Sequence, residues 1–149
     1  MGGPGAAMTV RGLLIVCAVA PVVAAAVSAQ TPQTLTGAAT TVRDRVYSQE
    51  QAGRGKTTYD TKCASCHDGG TMGPELWGDP FLAEWDNKSV GAFFSRIKTT
   101  MPEDAAGSLS ENEVLDVIAY VVQTNGFPAG EKGMRSESAL ATIKFVRNK

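Results

Sequence analysis

One short motif, Cys63-Ala64-Ser65-Cys66-His67, constrains this chain more than any other feature. His67 is the only histidine, and the third cysteine, Cys17, lies in the N-terminal segment that is predicted below to be removed. The remaining two thiols and one imidazole are one ligand short of a structural zinc site, which needs four. A thioredoxin-like dithiol shares the spacing, but it belongs to a βαβ unit, and the sequence has no such pattern around the motif. A disulfide between Cys63 and Cys66 would leave the histidine without a role.

The same spacing is the attachment signature of c-type haem. Two thiols three positions apart at a helix end reach the two vinyl groups of one porphyrin and form thioethers with them. The next residue then projects its imidazole under the ring centre, where it ligates iron. We therefore predict one haem c, covalently attached through Cys63 and Cys66, with His67 as an axial ligand.

The segment 1–29 has the pattern of a cleavable secretory signal. Arg11 precedes an apolar run, and the small residues Val27 and Ala29 suit the specificity of a signal peptidase. An uncleaved anchor is the alternative, but the run is short for a membrane span and contains Pro21. We predict export to the periplasm, where haem c is attached, and no membrane span after cleavage.

Helix signals predict an all-α domain with about four short helices and long loops. Two capping boxes predict helix starts, Ser48 with Gln51 and Ser110 with Glu113. Ser89 predicts the start of a further helix with a buried aromatic face. Helices this short enclose little core, so the haem macrocycle is expected to fill the centre.

Three other residues refine the helix prediction. Asp79 followed by Pro80 predicts a helix cap with proline at the first helical position. Gly55 weakens the first helix, which predicts a close backbone approach by another element. Gly126 and then Pro128 should end the last helix.

Composition divides the remainder of the chain. Residues 30–47 have few bulky apolar side chains and predict a flexible leader. Residues 48–128 are predicted to form the domain, and residues 129–149 an extension that packs on it.

The net charge is −1, with 14 Lys and Arg against 15 Asp and Glu, and no run of basic residues occurs. Nucleic acid is therefore not an expected partner.

The residues around the motif resemble the class I c-type cytochromes over about residues 48–128. The matching segments include the opening helix, the loop after the histidine, the distal methionine loop and the last helix: Gly55-x-x-x-Tyr59-x-x-x-Cys63, Gly73-Pro74-x-Leu76, Thr100-Met101-Pro102 and residues 111–125. Asp68 departs from the family pattern, because a glycine usually follows the histidine there.

The resemblance implies a cytochrome c-like fold wrapped around a covalently attached haem. It also implies that the last helix crosses the first, with Gly55 against Tyr120 at the crossing point. In that family the proline carbonyl of the loop, here Pro74, accepts the proton of the outer nitrogen of His67 and orients the ring. Trp77 and Trp85 are expected as haem-pocket or core aromatics, one of which could donate its indole N–H to a propionate.

The second axial ligand has three candidates, because no second histidine is present. Met72 follows His67 too closely for the chain to pass easily around the ring, and Met134 lies in the extension. Met101 is far enough from His67 along the chain to leave room for two short helices, and it matches the methionine loop of the family. We predict Met101, and spacing alone also leaves an open iron position as an alternative.

A haem with both axial positions filled favours outer-sphere electron transfer over catalysis. We predict a periplasmic one-electron carrier, not an enzyme, between a donor dehydrogenase or respiratory complex and an acceptor. The resemblance includes haem domains that serve periplasmic quinoprotein dehydrogenases, and it implies redox partners such as a quinoprotein dehydrogenase or a terminal oxidase. The alternatives are a haem enzyme or gas sensor with a labile sixth ligand, and a secreted binding or redox module without haem.

Overall fold

The structure is a computed structural model that describes residues 2–3, 40–69 and 72–147. Apart from residues 2–3, the predicted signal lies outside the described residues, as does the predicted leader up to residue 39. The described part of the chain contains helices and a few isolated β-bridges but no strands, which confirms the all-α prediction. None of its helices has the length and hydropathy that a membrane span requires.

Six α-helices follow one another along the described part of the domain. In chain order they are α1 (Gln49–Lys62), α2 (Ala64–His67), α3 (Gly78–Trp85), α4 (Val90–Thr100), α5 (Glu111–Thr124) and α6 (Glu137–Leu140). A short 3₁₀ turn, Glu103–Ala105, lies in the loop between α4 and α5.

The crossing of α1 and α5 forms the centre of the fold, and it is closest at Gly55. A Cβ atom on Gly55 would lie 1.8 Å from the Asp116 carbonyl oxygen, so only glycine fits there. The predicted close approach is therefore present, but its partner is the backbone at Asp116 and not Tyr120. Tyr120 lies one turn further along α5, where its ring is 5.1 Å from that of Tyr59.

Three of the predicted helix ends have the expected geometry. Ser110 and Glu113 form the full capping box at the start of α5. Ser89 accepts a hydrogen bond from the Ala92 amide at the start of α4. Gly126, with φ +82°, follows the end of α5 in the left-handed conformation that favours glycine.

The capping box predicted at Ser48 is only half formed. The Ser48 hydroxyl accepts from the Gln51 amide, as expected. The Gln51 side chain turns instead to Met134, donating to its carbonyl at 3.1 Å and accepting from its amide at 2.8 Å. Met134 lies outside any helix or strand, so its buried amide and carbonyl need these partners, and the glutamine side chain joins the extension to α1.

The predicted cap at Asp79 is wrong. Helix α3 begins one residue earlier, at Gly78, and Asp79 lies in its first turn. The Asn125 side-chain oxygen accepts from the Gly78 amide at 3.0 Å, while its amide group donates to the Leu76 carbonyl. An acceptor that follows α5 therefore stabilises the start of α3, which no local pattern indicates.

Residues 40–47 differ from the predicted flexible leader, because they pack on the domain. Val42 and Tyr47 are fully buried, and the Tyr47 hydroxyl donates to the Phe127 carbonyl at 2.7 Å. The Val42 amide donates to the Lys144 carbonyl, and the Lys144 amide donates to the Thr40 carbonyl. The prediction used the average composition of residues 30–47, but most of the bulky apolar residues in this range lie between residues 40 and 47.

The extension lies along the domain and ends in a segment that we call the C-terminal strap, residues 141–147. Helix α6 packs on α4, where a Cβ atom on Gly91 would lie 3.1 Å from the Ala141 backbone. The Val90 amide donates to the Ile143 carbonyl, and the Phe145 amide donates to the Lys88 carbonyl. The strap therefore joins residues 40–42 to the turn between α3 and α4.

Candidate functional site

The Cys-x-x-Cys-His motif forms the junction between α1 and α2. Cys63 ends α1, and its carbonyl accepts hydrogen bonds from the amides of Cys66 and His67 at 3.1 and 3.0 Å. Both cysteines are half-buried free thiols. Burial raises the pKa of the Cys63 thiol to about 11, so it is protonated at neutral pH. This is the reverse of the lowered pKa that activates a redox dithiol.

The imidazole of His67 is buried and held from one side by backbone. Its Nδ1 donates to the Pro74 carbonyl oxygen at 2.6 Å, the hydrogen bond that the family resemblance implies. Because a carbonyl only accepts, this contact favours the tautomer with its proton on Nδ1, and in that neutral tautomer Nε2 has the lone pair that a metal ligand requires. A Cβ atom on Gly73 would lie 2.9 Å from the imidazole, so glycine at this position is needed for the ring to fit.

A cavity of about 560 Å³ opens in front of this imidazole. That volume is in the range of small-molecule and cofactor sites. His67 and Met101 both line the cavity. Its other apolar lining residues are Pro74, Leu76, Pro80, Phe81, Trp85, Phe93 and Ile97.

Aromatic rings build one wall of the cavity. The rings of Trp85 and Phe93 meet edge to face at 4.6 Å, and those of Phe81 and Phe93 do so at 5.4 Å. Phe145 of the strap is fully buried, and its ring centre is 5.6 to 6.0 Å from those of all three. Trp85 is a pocket aromatic in the sequence prediction, whereas Phe145 lies in only a weak apolar pattern.

The three candidate methionines lie in different surroundings. Met101 is half-buried and lines the cavity with His67. Met72 is 76% exposed, and Met134 is buried in the core, where Gln51 holds its backbone. Neither Met72 nor Met134 lines the cavity. The arrangement therefore brings one thioether, that of Met101, to the same cavity as the imidazole.

Trp77 lies outside the cavity lining, in contrast to Trp85. Its ring is 6.2 Å from that of Tyr59, so it is a core aromatic on the α1 side. The Tyr59 hydroxyl donates to Asp68 at 2.9 Å, and burial, followed by this hydrogen bond, raises the pKa of Tyr59. Asp68, the departure from the family pattern, therefore connects the end of the motif to α1.

Four charged side chains also line the cavity, Glu75, Glu84, Lys88 and Arg96, and sequence reasoning did not identify them. Glu84 and Lys88 form an ion pair at 2.5 Å, and the Lys88 ammonium lies 5.2 Å from the centre of the Trp85 ring. Arg96 also lines the cavity, and it forms no ion pair within the described residues. The sequence signal that could have identified Arg96 is its position one residue before Ile97, at the edge of the buried face of α4.

The donor set fits an iron porphyrin. Its cavity is lined by an imidazole held by the Pro74 carbonyl, a thioether, apolar side chains for the macrocycle and the cations Lys88 and Arg96. The two free thiols belong to the same motif as the imidazole, although neither lines the cavity. The described part of the chain has no group of three or more His, Cys, Asp or Glu that could hold a bare metal ion.

Comparison with known proteins gives one family and several relatives. The family described as "Cytochrome C oxidase, cbb3-type, subunit III" matches residues 50–121. Cytochrome c-555 of Chlorobaculum tepidum is 34% identical over 97 residues, covering 59% of this chain and 89% of the relative. Cytochrome c-555 of Prosthecochloris aestuarii is 34% identical over 87 residues, covering 50% and 88%. No solved structure gives a significant match.

Proposed function

The chain belongs to the class I c-type cytochromes, and from this membership we propose that it carries single electrons through one haem c with His67 and Met101 as axial ligands. At the level of the family, it is a haem-containing electron carrier. The proposal adds the number of haems, the attachment at Cys63 and Cys66, and the ligand pair.

The observation that carries the proposal is the shared cavity of His67 and Met101. Iron with both axial positions filled exchanges electrons without binding substrate or O₂. A methionine thioether also favours ferrous iron and raises the reduction potential. The buried hydrogen bond from His67 to Pro74 fixes the ring and its tautomer, so the ligand needs little rearrangement between the two oxidation states.

The bound haem supplies the one-electron chemistry, and the chain supplies attachment, orientation and exclusion of water. We infer that Cys63 and Cys66 would bond to the macrocycle and that the wall of Phe81, Trp85 and Phe93 would exclude water from the cavity. Arg96 lines the cavity and forms no direct ion pair within the described residues, although its charge contributes to the lowered pKa of Glu84. Its guanidinium would offer positive charge to the propionate carboxylates.

We propose that the protein acts in the periplasm after removal of residues 1–29. Its redox partners there would be a donor, such as a quinoprotein dehydrogenase or respiratory complex, and an acceptor, such as a terminal oxidase. The apolar run before Ala29 supports export, and the family supports redox protein partners. Complexes of this kind bury little surface and dissociate readily.

The ligand assignment is tested by absorption spectroscopy of the exported holoprotein. A pyridine haemochrome spectrum should show one haem c per chain. The ferric protein should show the weak far-red band of a methionine–iron bond, and Met101→Leu should remove that band. Met72→Leu is the matched control, because Met72 is exposed and outside the cavity. A band that survives Met101→Leu contradicts the assignment.

Carbon monoxide separates the proposal from a gas sensor or haem enzyme. With Met101 bound, the reduced protein should not bind CO at neutral pH, whereas reduced Met101→Leu should bind it. Ready binding of CO by the wild-type protein would show a labile sixth position, and it would refute the carrier with a filled ligand pair.

A further inference from the structure

Lys98 lies in the last turn of α4, three residues before Met101. Its side chain is half-buried, and its ammonium group donates two hydrogen bonds to backbone carbonyls, one to Gly107 at 3.3 Å and a shorter one to Leu109. Those carbonyls lie at the far end of the loop that connects α4 to α5. Lys98 therefore joins the two ends of the loop that begins with Met101.

The loop between these ends has few other attachments. Residues 103–108 are all exposed, and the buried Leu109 is the first core residue after them. The backbone hydrogen bonds of Ala105 to Pro102 and of Ser108 to Ala105 stay inside the loop. Among the described residues, Lys98 is the one whose side chain hydrogen-bonds to the carbonyls of this loop.

We propose that Lys98 is a positioning residue for the axial methionine. By holding the Gly107 and Leu109 carbonyls, its ammonium keeps the loop closed at its base and keeps the Met101 thioether at the cavity. Hydrogen bonds from an ionised donor are stronger than those between neutral groups, so one side chain suffices for this role. The inference rests on the proposed ligand pair of His67 and Met101.

The consequence is a link between Lys98 and exchange of the sixth ligand. An external ligand reaches the iron only when Met101 has left it. The apparent affinity of that ligand therefore rises with the fraction of molecules whose loop is open. Loss of the ammonium removes a charge-assisted interaction, which corresponds to an increase of about tenfold or more in the open fraction.

Imidazole is the probe for the first experiment, with ferric holoprotein and the far-red band as the readout. Lys98→Leu keeps an apolar side chain on the helix, and it should bind imidazole about tenfold more tightly than the wild type. Lys98→Arg should stay close to the wild type, because a guanidinium still donates to carbonyl oxygens. Equal imidazole affinity in Lys98→Leu and the wild type overturns the role.

A control variant separates positioning from a general loss of stability. Lys56→Leu removes a lysine from α1, where it pairs with Asp60 one helical turn away. It should leave the imidazole affinity unchanged. An equal rise in affinity in Lys56→Leu and Lys98→Leu, with an equal loss of unfolding free energy measured by circular dichroism, overturns a specific role for Lys98.

Hydrogen exchange supplies a readout that does not depend on the ligand. The amides of the loop from Glu103 to Leu109 should exchange faster in Lys98→Leu than in the wild type, while those of α1 and α5 keep their rates. Unchanged exchange in the loop overturns the role of Lys98 alone. A wild-type protein without the far-red band overturns the proposed ligand pair and, with it, the positioning of Met101.

Discussion

Two alanine substitutions in α1 should change stability in opposite directions. Gly53 and Gly55 lie two positions apart in this helix. A Cβ atom on Gly53 would meet nothing within 4 Å, whereas one on Gly55 would lie 1.8 Å from the Asp116 carbonyl oxygen. Both variants, Gly53→Ala and Gly55→Ala, gain the same helix propensity, so their difference measures the helix crossing.

The magnitudes follow from these distances. Alanine in place of an exposed helical glycine stabilises by up to about 1 kcal/mol, which is the expected gain at Gly53. At Gly55 the added Cβ would lie 1.8 Å from the Asp116 carbonyl oxygen, whereas Cβ atoms in proteins almost never come closer than 3.0 Å to another heavy atom. The two helices must therefore move apart. Overpacking of this kind costs about 1–3 kcal/mol or more. We therefore expect Gly53→Ala to be more stable than Gly55→Ala by about 3 kcal/mol.

Urea unfolding of the holoprotein, followed by far-UV circular dichroism, measures both free energies. Absorption spectra of the folded variants should show that the haem environment is the same in Gly53→Ala and the wild type. If Gly55→Ala proves as stable as the wild type, or if both substitutions destabilise equally, the close crossing at Asp116 is not the constraint described above.

Three further predictions concern the imidazole, a helix cap and the strap. Gly73→Ala should displace the His67 ring, because its Cβ would lie 2.9 Å from the imidazole, and the Soret band of the holoprotein should shift; an unchanged spectrum contradicts this. Hydrogen bonds to the Ser110 backbone, to Lys62 and to the Ser110 hydroxyl lower the pKa of Glu113 from 4.5 to about 2. The carboxylate therefore stabilises the fold above pH 4.5 and loses that effect as the pH falls towards 2. The difference in unfolding free energy between the wild type and Glu113→Gln, measured in urea, should narrow over this range. A difference that stays constant refutes the stabilising role of this carboxylate. Phe145→Ala should destabilise by about 3–5 kcal/mol in the same assay, since it leaves a cavity beside the aromatic wall; a loss below about 1 kcal/mol would show that the strap is dispensable.

Features whose partners lie within a few residues were predictable from the sequence. The capping box of Ser110 with Glu113, the cap at Ser89 and the glycine after α5 all depend on local chemistry. The Cys-x-x-Cys-His motif is local in the same sense, because its spacing alone matches a porphyrin. The resemblance extended this to the Pro74 carbonyl and to Met101 in the cavity of His67.

Features whose partners lie far along the chain were not predictable. Asn125 provides the helix cap that was predicted for Asp79, although it lies 47 residues after Gly78, whose amide donates to it. Gln51 leaves its own helix start to bind Met134, 83 residues later. The burial of Val42, Tyr47 and Phe145 depends likewise on pairing between segments near the two ends of the domain. Single-sequence patterns carry no information about such pairings when neither side has a periodic signal.

The strap also makes the aromatic wall depend on contacts remote from the cavity. Phe145 does not line the cavity, but its ring packs against those of Phe81, Trp85 and Phe93. The backbone beside this ring is held in turn by the pairing of Lys144 with Thr40 and Val42. A change in residues 40–42 would therefore loosen the support of the cavity wall, although none of these residues lines the cavity.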